Sequence, residues 1–208
     1  EKINQYFLDI IKKYKPTYIN SKIISLRMFF KFLKKDFELP KKIKEPKQAI
    51  QSLTLEFFEE KILPELVWMD FQNPLKIKAL LYFMFYTGVR KSELYLLRRS
   101  NIDLQNCTAK IYLKKVKKEK IMLFPRKVRD ILKLYFLTEI EKQNAFNLGI
   151  GGVDYIFGKL KEAFPEIKIH PHLFKKSAVT HLHRCGFSIR EISEMIGISY
   201  QTILDHYL

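Results

Sequence analysis

The run Leu80-Leu-Tyr-Phe-Met-Phe85 is apolar around the whole circumference of any helix it forms. Such a helix cannot lie on a surface; it has to be enclosed by other elements. Asn73-Pro74 opens it, because proline is tolerated at the first helical position, and Thr87-Gly88 ends it. The rest of the chain supplies the enclosure. Helical periodicity runs over about 126–144, 153–164, 171–185, 188–196 and 200–207. Gly186 closes the third of these, and Ser188-x-x-Glu191 is a capping box for the fourth. Thr54 caps a helix over 55–63, and another begins near Ser92. After these, Cys107 to Leu113 and Lys120 to Phe124 form a hairpin around a lysine-heavy turn. The expected fold is mainly α with a small antiparallel β-sheet.

Two further amphipathic helices are expected over 2–14 and 17–35. Tyr6, Phe7, Ile10, Ile11 and Tyr14 stripe the first; Ile23, Ile24, Leu26, Phe29, Phe30 and Leu33 stripe the second. Leu39-Pro-Lys-Lys-Ile-Lys-Glu-Pro-Lys47 carries two prolines and no periodicity. It reads as a basic linker over 39–50, between a helical domain over 1–47 and a second domain over 51–208. The chain starts inside a helix without a methionine, and Tyr207 is one residue from its end, so trimming at both ends is expected.

Charge narrows the function. Lys and Arg number 38 against 22 Asp and Glu, a net +16, and residues 1–50 alone hold 13 against 5. An excess of this size points to a polyanionic partner, most often nucleic acid, although a Lys-rich proteome gives the same balance. No apolar run is long enough for a membrane span. Cys107 and Cys185 have no metal-ligand spacing and read as reduced core thiols in a cytosol. Asn147-Leu-Gly-Ile-Gly-Gly152 has glycines but no Gly-Lys-Ser/Thr, so it is a connecting loop rather than a phosphate loop.

Some residues carry possible chemistry, each with a plainer reading beside it. Arg90 follows the buried helix through a Thr-Gly turn that aims its fork of donors, as phosphate binding requires; alone, it is a helix-end arginine. Five lysines lie at and beside the turn over 114–120, where one ammonium could give up a proton; singly, each is a solvated charge. His172 and Lys175 share a face at i and i+3 on a helix whose Leu173, Phe174, Ala178 and Val179 predict burial. Tyr207 ends a short amphipathic helix. Its hydroxyl, with a pKa of about 10, needs cations around a phosphate before it is a useful nucleophile. It is also one of 11 tyrosines.

Together these segments resemble the tyrosine recombinases, the integrase and Xer-type site-specific recombinases, over nearly the whole chain. Thr87-Gly-Val-Arg90-Lys-Ser-Glu93-Leu looks like the family's first-arginine motif. The hairpin Ile111 to Ile121 looks like the strand pair bearing the catalytic lysine, with Lys115 at the matching place. His172-Leu-Phe-Lys175 is similar to the His-x-x-Arg motif, and Ile192 to Tyr207 has the spacing of the glycine and the nucleophile. Leu26 to Leu33 looks like the second half of the core-binding domain. Two positions depart from the pattern: Lys175 stands for the second arginine, and Ile198 stands where His or Trp is usual.

The resemblance implies a mechanism without metal, cofactor or ATP. Tyr207 attacks the scissile phosphate, Arg90 and Lys175 clamp it, His172 assists proton removal, and Lys115 protonates the leaving 5′-oxygen. Glu93 and His181 support the array. Lys22, Arg27 and Lys31 of the second helix, with Lys114, Lys117 and Lys118 of the hairpin, contact double-stranded DNA. The resemblance further implies a tetramer on DNA, no membrane attachment, and a cytoplasmic, nucleoid-associated location. The competing reading is a non-catalytic DNA-binding protein, because residues 188–203 also resemble a helix-turn-helix, or a recombinase relative weakened or inactivated by Lys175 and Ile198. A basic RNA-associated protein is a third reading, with no module motif behind it.

Overall fold

The computed structural model describes residues 2–36, 38–43, 51–113, 117–139, 143–149 and 151–207. They fall into two compact units, Glu1–Ala49 and Ile50–Leu208. In the first unit, α1 (Lys2–Ile11) packs against α2 (Pro16–Phe32). Phe7, Ile10, Ile19 and Ile23 are its buried core. Both helices are shorter than the periodicity suggested, and Tyr6, Ile11, Tyr14, Ile24, Phe29 and Leu33 of the expected stripes are exposed. Two helices have only one mutual seam to bury, which the 3.6-residue pattern cannot reveal. Part of the expected linker is docked: the Asn20 side chain accepts from Ile43 N at 2.8 Å and donates to Ile43 O at 2.9 Å.

The second unit begins with α3 (Leu55–Phe57), a π-helical turn over Phe58–Ile62, and α4 (Leu63–Glu65). The wide turn stands just before Pro64, which has no N–H to donate and whose ring crowds the preceding turn. Next come α5 (Pro74–Thr87), α6 (Lys91–Leu94), a 3₁₀ turn, and an antiparallel sheet in the order β1 (Ile102–Asp103), β2 (Thr108–Leu113), β3 (Lys118–Leu123). The chain continues as α7 (Arg126–Thr138), α8 (Gly152–Ala163), α9 (Pro171–Arg184), α10 (Ile189–Ile196) and α11 (Tyr200–His206). The fold class is therefore as expected. The expected helix over 126–144 stops at Thr138, and Asn144, where its end was expected, holds a turn instead. Its amide donates to Leu94 O and Tyr95 O while its oxygen accepts from Phe146 N.

The central helix is α5, with Leu80 through Phe85 all buried. It packs on α7 and on α9. Phe85 stacks on Phe58 at 4.6 Å between ring centroids, and Phe174 of α9 meets Phe58, Phe85 and Phe157 edge-on. These aromatic pairs set the register of α9 on α5, and with it the place of His172 and Lys175. Ser177 adds a polar lock, accepting from Leu53 N at 2.7 Å and donating to Leu173 O at 2.9 Å. Of the two cysteines, Cys107 is partly buried, whereas Cys185 is exposed just past the end of α9 rather than in the core. Its Sγ lies 3.8 Å from His181 Nε2, one turn back, at a helix end that is open to solvent.

Gly88 lets three helices converge. It caps α5 at φ +60°, and a Cβ there would stand 3.1 Å from Ile196 Cγ2 and 3.3 Å from Ala178 Cβ. Gly88→Ala should therefore lower stability by about 2 kcal/mol, from the left-handed backbone plus crowding. The midpoint of urea unfolding measures this; an unchanged midpoint would show that neither the left-handed backbone nor the crowding limits this position.

Candidate active site

Arg90 lies just beyond the Gly88 turn and caps α6. Glu93, one turn on and 2% exposed, accepts from Arg90 N at 2.8 Å with one carboxylate oxygen and from Nη1 at 2.9 Å with the other. The carboxylate thus fixes both the backbone and the guanidinium, leaving the far side of the fork free for an anion.

His172 and Lys175 stand in the first turns of α9, which is capped by His170 accepting from Leu173 N. Burial, then Lys176, His170, Lys175 and Arg90, push the His172 imidazole below its ordinary value, so its ring is neutral at pH 7. Lys175 is 2% exposed and its Nζ has no hydrogen-bond partner among the described residues. Burial first and Arg90 second pull its ammonium down to about 7, with Lys120 adding to the effect and Glu93 opposing it. A buried ammonium without a partner is costly, and a bound anion would relieve that cost.

Tyr207 is 5% exposed, packed with Ile192, Ile196, Ile198 and Ile203. Its hydroxyl lies 3.4 Å from His172 Nε2, and the two rings meet edge-on. Burial raises the phenol's pKa while Arg90 lowers it. The resting tyrosine is protonated and faces a neutral imidazole able to take its proton. Arg90 and Lys175 bear on that imidazole, and Arg90 on the phenol. The arrangement is chemically suited to a tyrosyl attack on a phosphodiester held by two cations.

Not every expected residue joins this array. Lys114 and Lys115 lie outside the described residues. Lys117 and Lys118 are exposed beside the hairpin turn. His181 stands apart, its ring against Phe85 and Tyr86 and its charge environment set by Arg184 and Glu59. Ile198 is buried among apolar neighbours and offers no donor. In α2, Arg27 and Lys31 are exposed and share a face at i and i+4. Lys22 instead leans over the Tyr18 ring, 5.2 Å from its centroid. No group of His, Cys, Asp and Glu that could hold a metal occurs among the described residues, nor is any described helix long and apolar enough to cross a membrane.

One member of the array is not singled out by sequence reasoning. Lys120 is partly buried, and its Nζ donates to the Glu194 carbonyl of α10. Its signal is the period-two alternation of β3, in which Lys120 shares the inward face with buried Met122.

Comparison with known proteins bears on the family and the fold. The model of the phage integrase family matches residues 56–208. Tyrosine recombinase XerC of Bacillus licheniformis is 32% identical over 206 residues, covering 87% of this chain and 66% of the relative. A tyrosine recombinase of Thermosipho africanus is 30% identical over 205 residues, covering 93% and 72%. The chain thus spans about two thirds of the length of these relatives. Among solved structures, XerH site-specific recombinase bound to palindromic difH substrate in a post-cleavage complex has a TM-score of 0.80. It is 15% identical, covers 99% of this chain and 65% of that chain, and bears on the fold alone.

Proposed function

The chain belongs to the phage integrase family, and from that premise we propose that it is a site-specific DNA recombinase acting through a 3′-phosphotyrosyl intermediate. One observation carries the reading: the Tyr207 hydroxyl lies 3.4 Å from a neutral His172 imidazole. Tyr207 Oη bonds to the scissile phosphorus while the bond to the 5′-oxygen breaks. His172 Nε2 accepts the phenolic proton, and Lys115 of the hairpin gives one to the leaving 5′-oxygen. Arg90, oriented by Glu93, and Lys175 stabilise the charge that builds on the non-bridging oxygens. One phosphodiester replaces another, so attack by a different 5′-hydroxyl rejoins the strand without ATP. The substrate is double-stranded DNA, and strand exchange engages four protomers on two duplexes.

The test is covalent trapping. Sites are first selected from a random DNA pool by binding, then rebuilt as nicked suicide substrates. A denaturing gel should show a protease-sensitive DNA adduct. Binding without an adduct, by this chain and by Lys175→Arg alike, would leave a DNA-binding protein and sink the reading.

A further inference from the structure

The hairpin and the tyrosine-bearing helices are joined by one side chain. Lys120 reaches from β3 to α10, where its ammonium meets the Glu194 carbonyl. Glu194 lies in the last turn of α10, whose final carbonyls have no partner within the helix and carry its negative end. An ammonium satisfies both needs at once. Independently, the stem of Lys120 lies against Gly197. A Cβ at that glycine would fall 3.1 Å from Lys120 Nζ, 3.3 Å from its Cδ and 3.4 Å from Leu113 Cδ1. Glycine at φ +73° thus ends α10 and also makes room for the lysine.

The segment between Gly197 and the tyrosine is short. Ser193 Oγ donates to Ile198 O at 2.6 Å, Ser199 caps α11, and Tyr207 N closes on Ile203 O at 2.9 Å. From the end of α10 to the tyrosine there is one turn and one helix of seven residues. Such a helix has little stability of its own, so its place depends on how the end of α10 is held. On one side that end meets Gly88 through Ile196; on the other it meets Lys120.

We propose that Lys120 is a positioning residue for Tyr207, fastening the end of α10 to the β2–β3 hairpin so that the hydroxyl stays opposite His172. It also sits near the cations of the site, since its charge bears on Lys175 and it feels Glu93. Its route to the chemistry is nevertheless through the backbone it holds. The inference rests on the recombinase reading only for its effect on cleavage; the effect on α11 is a property of the free protein.

Lys120→Met keeps the stem and removes the ammonium. In the free protein, hydrogen exchange of the α11 amides should become about tenfold faster, with Lys120→Arg recovering most of the protection. On suicide substrates, cleavage should slow about tenfold while DNA affinity stays within about twofold. A substrate with sulfur at the 5′-bridging position, a leaving group that needs no proton, should be slowed equally. Unchanged α11 exchange in Lys120→Met would overturn the proposal. Restoration of the rate by sulfur would also overturn it, making Lys120 a proton donor, and so would a loss of DNA affinity that accounts for the whole rate loss. If the unaltered chain forms no adduct on either substrate, the recombinase reading fails, and amide exchange alone still decides the role of Lys120.

Discussion

Tyr207→Phe is expected to abolish the covalent DNA adduct completely while leaving DNA binding within about twofold. The phenyl ring is retained, and the position is 5% exposed, so its packing against Ile192, Ile196 and Ile203 survives. What disappears is the oxygen. Its one hydrogen-bond contact among the described residues is the long 3.4 Å approach to His172, so stability should change by no more than about 1 kcal/mol. That separates chemistry from folding: an inactive variant with a normal melting temperature lacks only the nucleophile. His172→Gln should behave differently, slowing adduct formation by about 10²–10⁴ without abolishing it, as for removal of a general base. Persistence of the adduct in Tyr207→Phe would place the nucleophile on another tyrosine or serine, and peptide mapping of the adduct would find it.

The second large effect concerns Lys175. Its ammonium is buried, lacks a partner among the described residues, and is held near 7 by burial and by Arg90. Arg90 and Lys120 oppose its charge and Glu93 favours it. Phosphate clamping requires the charged form, and kcat/KM reports the ionisations of the free protein. Cleavage at limiting DNA should therefore fall about tenfold per pH unit above pH 7. The acid limb, set by His172, should lie below the ordinary histidine value of about 6.5, because burial and the surrounding cations lower it. Lys175→Arg restores a permanent charge and a fork, so it should remove the alkaline limb and raise the rate at pH 8. A pH profile identical in the two proteins would show that Lys175 is not a phosphate ligand.

The same group makes an opposite prediction for stability. In the unfolded chain Lys175 titrates near 10.4, above its folded value of about 7. Below pH 7 both states are protonated, and the folded one bears the full cost of a buried charge. Between about 7 and 10.4 the folded state releases a proton that the unfolded state keeps, so stability rises with pH across that window. Lys175→Met should thus stabilise the protein by about 1–4 kcal/mol below pH 7, with the gain shrinking above it. Activity and stability would move in opposite directions, as expected where a site holds an unsatisfied charge for its substrate. Urea unfolding at pH 6 and pH 9 measures both numbers.

Much of the architecture was legible because it is written locally. The fully apolar run Leu80 to Phe85 predicted a central helix, and Asn73-Pro74 and Gly88 bound it as expected. Ser188 with Glu191, and Ser199, cap α10 and α11 through contacts within one turn of chain. The hairpin registered through β-propensity around its lysines. His172 and Lys175 share a helix, so their common orientation needed only the 3.6-residue repeat.

Contacts across the chain were not legible in that way. His181 lies nine positions along α9 from His172, which turns it toward Phe85 and Tyr86 instead of Tyr207. The aromatic stripes of α1 and α2 predicted burial for residues that are exposed, because a pattern states what a face prefers and not whether a partner covers it. Lys120 was one lysine among several until β3 was set beside α10. By itself the sequence determined which segments are helical, where capped ends such as those at Asn73, Gly88 and Ser188 fall, and which residue types can act on a phosphodiester, since these depend on neighbours a few residues apart. Only the tertiary structure decided that Tyr207 meets His172, that Lys175 is left buried without a partner among the described residues, and that Lys120 clasps Glu194. Those facts depend on burial and on approaches of a few ångströms between distant segments, which helix packing and two glycines with positive φ bring about.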